Sequence, residues 1–297
     1  MVVGTDDSKN VASVSVSELS SSIWADVFRR LVKNKTAVFC FFVFVIIALA
    51  CAMAPILTTY DYARINPSRN LEKSSFEHIL GTDNLGRDLF TRLLYGGRMT
   101  LRIAFVSTAI AAVAGSIIGV VAGFFSGWAD FIISPVLDTI ASIPVMLLAV
   151  VAETIFGWGL GSFMYAIAVA AIPHFARLVR ATVMNIMGSE YIEAARALGV
   201  SNAGIIVKHV IHNIAPPLII RFTSGLSEAL LTCTIMGYLT IGVSPPTPEW
   251  GYIVFMASRY VRSHPRLIII PCLVIITCVI SINLFGDGLR DALDPRD

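Results

Sequence analysis

"SEYIEAARALGVSN", residues 189–202, is a short, charged, alanine-rich stretch inside a very apolar chain. Ser189 is placed to cap a helix, and Glu190 sits near the positive end of its dipole. Glu193, Ala194, Ala195, Arg196, Ala197 and Leu198 are mostly strong helix formers. Gly199 supplies a left-handed stop. Ser201 or Asn202 then caps a second helix, "AGIIVKHVIHN", which runs toward Pro216. The pattern predicts a helix, a glycine turn and a helix. Ala194 and Ala195 leave a small surface that another protein can approach closely. On these residues alone, an incidental interfacial helix is an equal reading.

The surroundings of that stretch are membrane-like. Of 297 residues, 56% are hydrophobic and only 14% charged, with mean hydropathy +0.77, where soluble domains carry about 25% charged residues. Residues 36–60, 103–129, 154–173 and 267–286 contain no Asp, Glu, Lys or Arg. About 20 mostly apolar residues cross the hydrocarbon of a bilayer. Two further spans, 133–155 and 215–236, carry buried charge. The expectation is therefore an all-α membrane protein with six transmembrane helices. A soluble protein with buried helices does not accommodate runs of this length.

Charge distribution supplies orientation. Arg29, Arg30, Lys33 and Lys35 precede the first span and place the N-terminus in the cytoplasm. Six spans then put the 177–214 loop, with Arg177, Arg180, Arg196 and Lys208, on the same side. The external segment holds Arg64, Arg69, Lys73, Arg87, Arg92 and Arg98, a poor fit to the positive-inside rule, although mixed with Asp61, Glu72, Glu77, Asp83 and Asp88. "ALACAMAP" after the first apolar run resembles a cleavage or lipoprotein site at Cys51. The long polar stretch before the run favours an uncleaved span. In "GRDLFTRLLYGGRMT", Leu89, Phe90, Leu93 and Leu94 share one side, and Arg87, Asp88, Thr91 and Arg92 the other. That spacing predicts an amphipathic interfacial helix over 86–98; a soluble helix packed on the loop is the alternative.

Within the spans, Gly115, Gly119 and Gly123 fall on one helix face and allow close backbone approach. Arg221, Ser224, Glu228 and Thr232 align on one face of the fifth span. Charge at membrane depth is costly and faces a water-filled cavity or a partner. This stripe is the expected translocation path. Its structural alternative has Arg221 reaching the interface and Glu228 paired with a neighbouring helix.

Several function classes are excluded or disfavoured. No GxxxxGK[ST] phosphate loop is present, so ATP is not bound by that route, and HExxH and GxSxG are absent. Asp138 and Glu153 are 15 residues apart, about 22 Å on one helix, too far for a catalytic pair. The five cysteines lie in apolar segments without CxxC spacing, so neither a disulfide framework nor a metal site is indicated. No cofactor is expected. No basic, aromatic-interleaved surface points to nucleic acid. A self-sufficient secondary transporter needs internal repeats or broken helices in both halves, and no repeat is evident.

"EAARALG" followed by "IIVKHVIHN" resembles the EAA loop of ATP-binding-cassette importer permeases. "GTDNLGRDLFTRLLYGGRMTL", "ARLVRATV", "GVSPPTPEWG" and "FGDGLRDALDPRD" resemble the C-type subunit of dipeptide and oligopeptide permeases. "SIWADVFRRLVKNKTAV" leans toward the oligopeptide branch. The resemblance covers nearly the whole chain. It implies a type I ABC importer permease fold with a cytoplasmic coupling loop, in which Glu193, Ala194, Ala195 and Gly199 hold the motif positions. It also implies a bacterial inner-membrane, multi-pass protein that is not itself an enzyme. The implied partners are a homologous permease completing a heterodimer, two ATP-binding subunits and an extracytoplasmic binding protein, with a peptide as substrate. Nickel or metal-chelate permeases share these motifs and form the alternative. The implied organisation is a cytoplasmic segment 1–35, a first span 36–56, an external loop 57–100 with its interfacial helix, a permease core 101–286 and a cytoplasmic tail 287–297. Two departures stand out. His212 replaces the family's usual proline after the second loop helix, and Cys233 stands near the place of a fifth-span glutamate, whose role is not carried over.

Overall fold

The computed structural model of the protein describes residues 16–157 and 159–293. The first 15 residues of the expected N-terminal segment and the last four of the tail lie outside the described residues. Those described are all-α. Five helices are long and apolar enough to cross a membrane, or six with a bent pair counted as one span.

Helix α1 (Val16–Lys33) leads into α2 (Lys35–Ala52), whose start Asn34 caps by accepting from Ala37 N at 3.1 Å. α2 is apolar all round, and Phe39, Phe42 and Ile46 project outward, as on a helix facing lipid or another chain. A short turn, α3 (Ala54–Leu57), follows. Irregular chain then runs to α4 (Leu89–Phe125), capped by Asp88, which accepts from Thr91 N at 2.7 Å. α4 packs along α7 (Leu160–Met187). The glycine stripe makes this possible. A Cβ at Gly115 would lie 2.6 Å from Phe175 Cβ, one at Gly119 2.6 Å from the Ala176 carbonyl, and one at Gly123 2.8 Å from the Arg180 carbonyl.

The third apolar segment is not one straight span. α5 (Gly127–Ser142) and α6 (Val145–Phe156) meet at 94° around Ile143 and Pro144. Pro144 offers no N–H, and the residue before a proline is driven out of helical geometry; Ile143 is extended, with ψ 123°. The expected straight span over 133–155 is thereby corrected to a broken one.

The expected interfacial helix over 86–98 is also corrected. Residues 89–98 are the opening turns of α4, and both sides are covered. Leu89, Leu93 and Leu94 enter the main core, while Arg87, Asp88, Thr91 and Arg92 are buried under the irregular chain. Asp83 accepts from Arg87 Nε at 2.7 Å, and His78 Nδ1 lies 2.9 Å from Asp88 Oδ1. The polar side is thus paired within the protein instead of with water. Arg266, at the start of α12 (Arg266–Leu293), donates to the Leu80 carbonyl at 2.6 Å and ties this cap to the last span.

Candidate translocation path and docking loop

The opening stretch forms α8 (Glu190–Ala197). Ser189 occupies the cap position, but its hydroxyl donates back to the Ile186 carbonyl instead of capping α8. The C-terminus closes as a Schellman turn. Val200 N donates to the Ala195 carbonyl at 3.1 Å, Gly199 N donates to Arg196 at 2.9 Å, and Gly199 has φ +82°. Ser201 then accepts from Gly204 N at 3.2 Å and caps α9 (Asn202–Ile205). A π turn, Ile206–Val210, carries α9 without interruption into α10 (Ile211–Tyr238), through Pro216 and Pro217. With His212 in place of a proline, the second loop helix and the span are one continuous rod.

One buried side chain is the main anchor of α8. Ile192 is fully buried among Val183, Ile186, Ile205, Val210 and Ile214, where α7, α9 and α10 meet. Tyr191 accepts from Asn213 Nδ2 at 3.4 Å and lies beside the His209 ring, and the rest of α8 is largely open. Glu193 and Ala194 are exposed and Ala195 half-buried, while Tyr191, Leu198 and Val207 project apolar surface, Leu198 at 85% exposure. A short helix held chiefly by one buried side chain, with an apolar and charged outer face, is suited to docking another protein.

The polar stripe of α10 faces the break in the third span. A cavity of about 310 Å³ lies between the α5–α6 corner, α7 and α10. Glu228 and Thr232 line it, with Gly225 at its floor and His174 opposite. Arg221 donates to Glu228 twice, Nη1 to Oε1 at 2.9 Å and Nη2 to Oε2 at 2.8 Å. Its guanidinium also rests over the Phe175 ring, 5.5 Å from the centroid. Ser224 turns its hydroxyl to the Ile220 carbonyl at 3.3 Å and does not line the cavity. Leu226 and Leu230, on the other faces of α10, are buried in the core.

Sequence reasoning missed the rest of this polar surface. Arg177 donates to Asp138 at 2.7 Å, and Arg180 Nη2 donates to Asp130 Oδ2 at 2.6 Å, so α7 holds α5 by two ion pairs. His174, Arg177 and Arg180 lie on one side of α7, a helical spacing that was readable; their partners on another helix were not. Asp138 is therefore a structural acid, and Glu153 is separated from it by the bend.

At the opposite end of the bundle, Glu249 caps α11 (Trp250–Ser258), accepting from Tyr252 N at 3.0 Å. It is fully buried and also accepts from Thr100 Oγ1 at 2.9 Å; Cys233 Sγ lies 3.9 Å away. A carboxyl thus reaches the neighbourhood of Cys233 from a different segment. Burial pushes the Glu249 carboxyl up to about 7, against the opposing pull of the Gly251 and Tyr252 N–H groups and the Thr100 hydroxyl.

The arrangement is a membrane bundle with a short, largely exposed helix and a cavity at a broken span. The model of the binding-protein-dependent transport system inner membrane component family matches residues 115–296, and that of the N-terminal TM domain of oligopeptide transport permease C matches 22–74. The chain belongs to the binding-protein-dependent permease family. The dipeptide transport system permease protein DppC of Alkalihalophilus pseudofirmus is 38% identical over 275 residues, 93% of this chain and 90% of that one. The glutathione transport system permease protein GsiD of Pectobacterium atrosepticum is 35% identical over 280 residues, 92% of this chain and 91% of that one. In fold, the permease matches a chain of the inward-facing MetNI methionine ABC transporter with TM-score 0.58 and 23% identity, over 68% of this chain and 96% of that chain. The protein is accordingly a multi-pass membrane permease of the type I importer fold, a subunit class distinct from the ATPase.

Proposed function

We propose that this permease forms half of the translocation pathway of an ATP-driven importer of dipeptides or oligopeptides. A homologous permease completes the pore, two ATP-binding subunits dock on the segment between α7 and α10 from the cytoplasm, and an extracytoplasmic binding protein delivers substrate. Glu193, Ala194, Ala195 and Gly199 belong to the docking loop, and Glu228 and Thr232 to the path. The observation that carries the reading is the near full-length similarity to a permease named for dipeptide transport. The cavity supports it. Its few polar side chains, Glu228, Thr232 and His174, offer hydrogen bonds and charge to a small ligand, and its size is within the range of small-ligand sites, about 300–1,000 Å³.

On this reading ATP binding closes the ATPase pair and pulls the two loops together. α8 passes that motion to α7 and α10 through Ile192, and the corner at Ile143–Pro144 changes its relation to α10. The test is uptake of a labelled dipeptide by cells carrying the permease pair, the ATPases and the binding protein. Uptake should vanish when either the ATPase or this chain is omitted. Uptake of nickel ion and not of peptide by the same strain would overturn the peptide assignment.

A further inference from the structure

The Arg221–Glu228 pair differs from the other two ion pairs beside the cavity. Asp130–Arg180 and Asp138–Arg177 join two helices and hold α5 to α7. Arg221 and Glu228 sit two turns apart on a single helix, so their pair holds no element in place. The Arg221 side chain is 20% exposed and that of Glu228 59%. Glu228 lines the cavity itself, and the Arg221 guanidinium has a second support in the Phe175 ring. Separating the two would leave Arg221 in place over the ring, with its donors free, and Glu228 at the cavity wall with its acceptors free.

We propose that Arg221 and Glu228 form a zwitterion-exchange site: the substrate's terminal ammonium takes Arg221's place on Glu228, and its terminal carboxylate takes Glu228's place on Arg221. This rests on the peptide reading and deepens it by assigning the recognised groups. An internal bidentate ion pair is the electrostatic counterpart of a ligand that carries both charges. In the empty path the two side chains neutralise each other, which membrane depth demands. A zwitterion replaces both halves at once, so no bare charge is left at any stage. A ligand with one charge can satisfy only one half and leaves the other unpaired, a cost that falls most on the less exposed Arg221. The site therefore favours short peptides with free termini over blocked ones. Thr232, one turn beyond Glu228 on the same cavity wall, offers a hydroxyl to the peptide backbone.

The test uses the complete permease–ATPase complex in lipid nanodiscs, without binding protein, so that the binding protein's own preference plays no part. Thr232→Cys is introduced with the partly exposed Cys272 changed to Ala, and its modification by a small aqueous thiol reagent is timed. Millimolar alanyl-alanine should slow modification about tenfold, the weight of one or two charge-assisted contacts. The N-acetylated, C-amidated analogue should slow it less than twofold. In the double variant Arg221→Gln/Glu228→Gln, which has no unpaired charge to disturb insertion, the two ligands should become indistinguishable. Equal protection by both ligands in the wild-type pair would overturn the exchange, as would absence of protection by either, or a double variant that still discriminates. Uptake of the same dipeptide by intact cells is scored in parallel. Uptake without discrimination at residue 232 removes the exchange site and leaves the peptide reading intact, whereas absence of uptake removes the peptide reading itself.

Discussion

Gly199 and Glu249 each carry a condition that no other residue type at their positions meets equally. Gly199 has φ +82° and open space where a Cβ would point, so the obstacle to substitution is backbone strain alone. A β-branched residue there costs about 1–2 kcal/mol and weakens the Schellman turn. Gly199→Val is expected to insert and assemble normally but to lose most uptake, read by comparing ATPase copurification with dipeptide accumulation; normal uptake would remove the turn from the coupling path. Glu249 gives a pH dependence. Its carboxyl, raised by burial from 4.5 to about 7, binds its proton more tightly in the folded protein than in the unfolded chain. Between those values the folded state holds more protons, so stability falls as pH rises from about 4.5 to about 7. The shift corresponds to about 3 kcal/mol. Thermal denaturation of the solubilised complex at pH 5 and pH 8 should show this fall, and Glu249→Gln should flatten it. An unchanged pH slope in that variant would place the titrating group elsewhere.

Among the elements, the most extensive helix contact is that of α4 with α7, which the glycine stripe permits. A methyl at Gly119 meets the Ala176 carbonyl, which is backbone and cannot turn aside, so α4 and α7 must separate. Gly119→Ala is expected to cost about 1–3 kcal/mol and to lower the thermal midpoint of the solubilised complex. Gly161→Ala, with nothing within 4 Å of its added carbon, should not; equal midpoints would show that the helices have slack. The stripe itself was legible from its spacing of four, but the helix it meets was not, because spacing reveals a face and never its partner. The same limit explains the fifth span. Its periodicity placed Arg221, Glu228 and Thr232 on one face, where Arg221 and Glu228 pair within the helix, yet His174 across the cavity depends on tertiary packing. The long uncharged runs made most spans legible. The break at Pro144 was present in the sequence, but prolines also sit inside α7, α10 and α12, so a proline alone does not locate a bend. The misread helix over 86–98 has a plainer cause: its polar side was assigned to water, although Asp83 and His78, a few residues upstream, fold back to pair with it.

At the scale of the whole molecule, the two ends of α8 separate docking from transmission. Its outer face, with Leu198 85% exposed, is bare in the single chain, while its inner face is held chiefly by the buried Ile192, with a lesser contact of Tyr191 to Asn213 and the His209 ring. A partner that covers Leu198 gains about 1.5–3 kcal/mol from that side chain, and a carboxylate in its place both forfeits the gain and resists burial. Leu198→Glu is therefore expected to leave membrane insertion unchanged, to reduce ATPase copurification at least tenfold and to abolish uptake. Ile192→Ala acts on the other face. Truncating a fully buried isoleucine costs about 2–5 kcal/mol, here localised to the main contact that ties α8 to α7 and α10. The outer face survives, so the ATPase should still copurify and hydrolyse ATP, but its motion no longer reaches the spans, and uptake per ATP hydrolysed should fall sharply. The pair of variants is read by three measurements on each: copurification, ATP hydrolysis and dipeptide uptake. If Ile192→Ala lost the ATPase as completely as Leu198→Glu, α8 would be a simple adhesive patch, and the motion would have to enter the bundle through a contact other than Ile192.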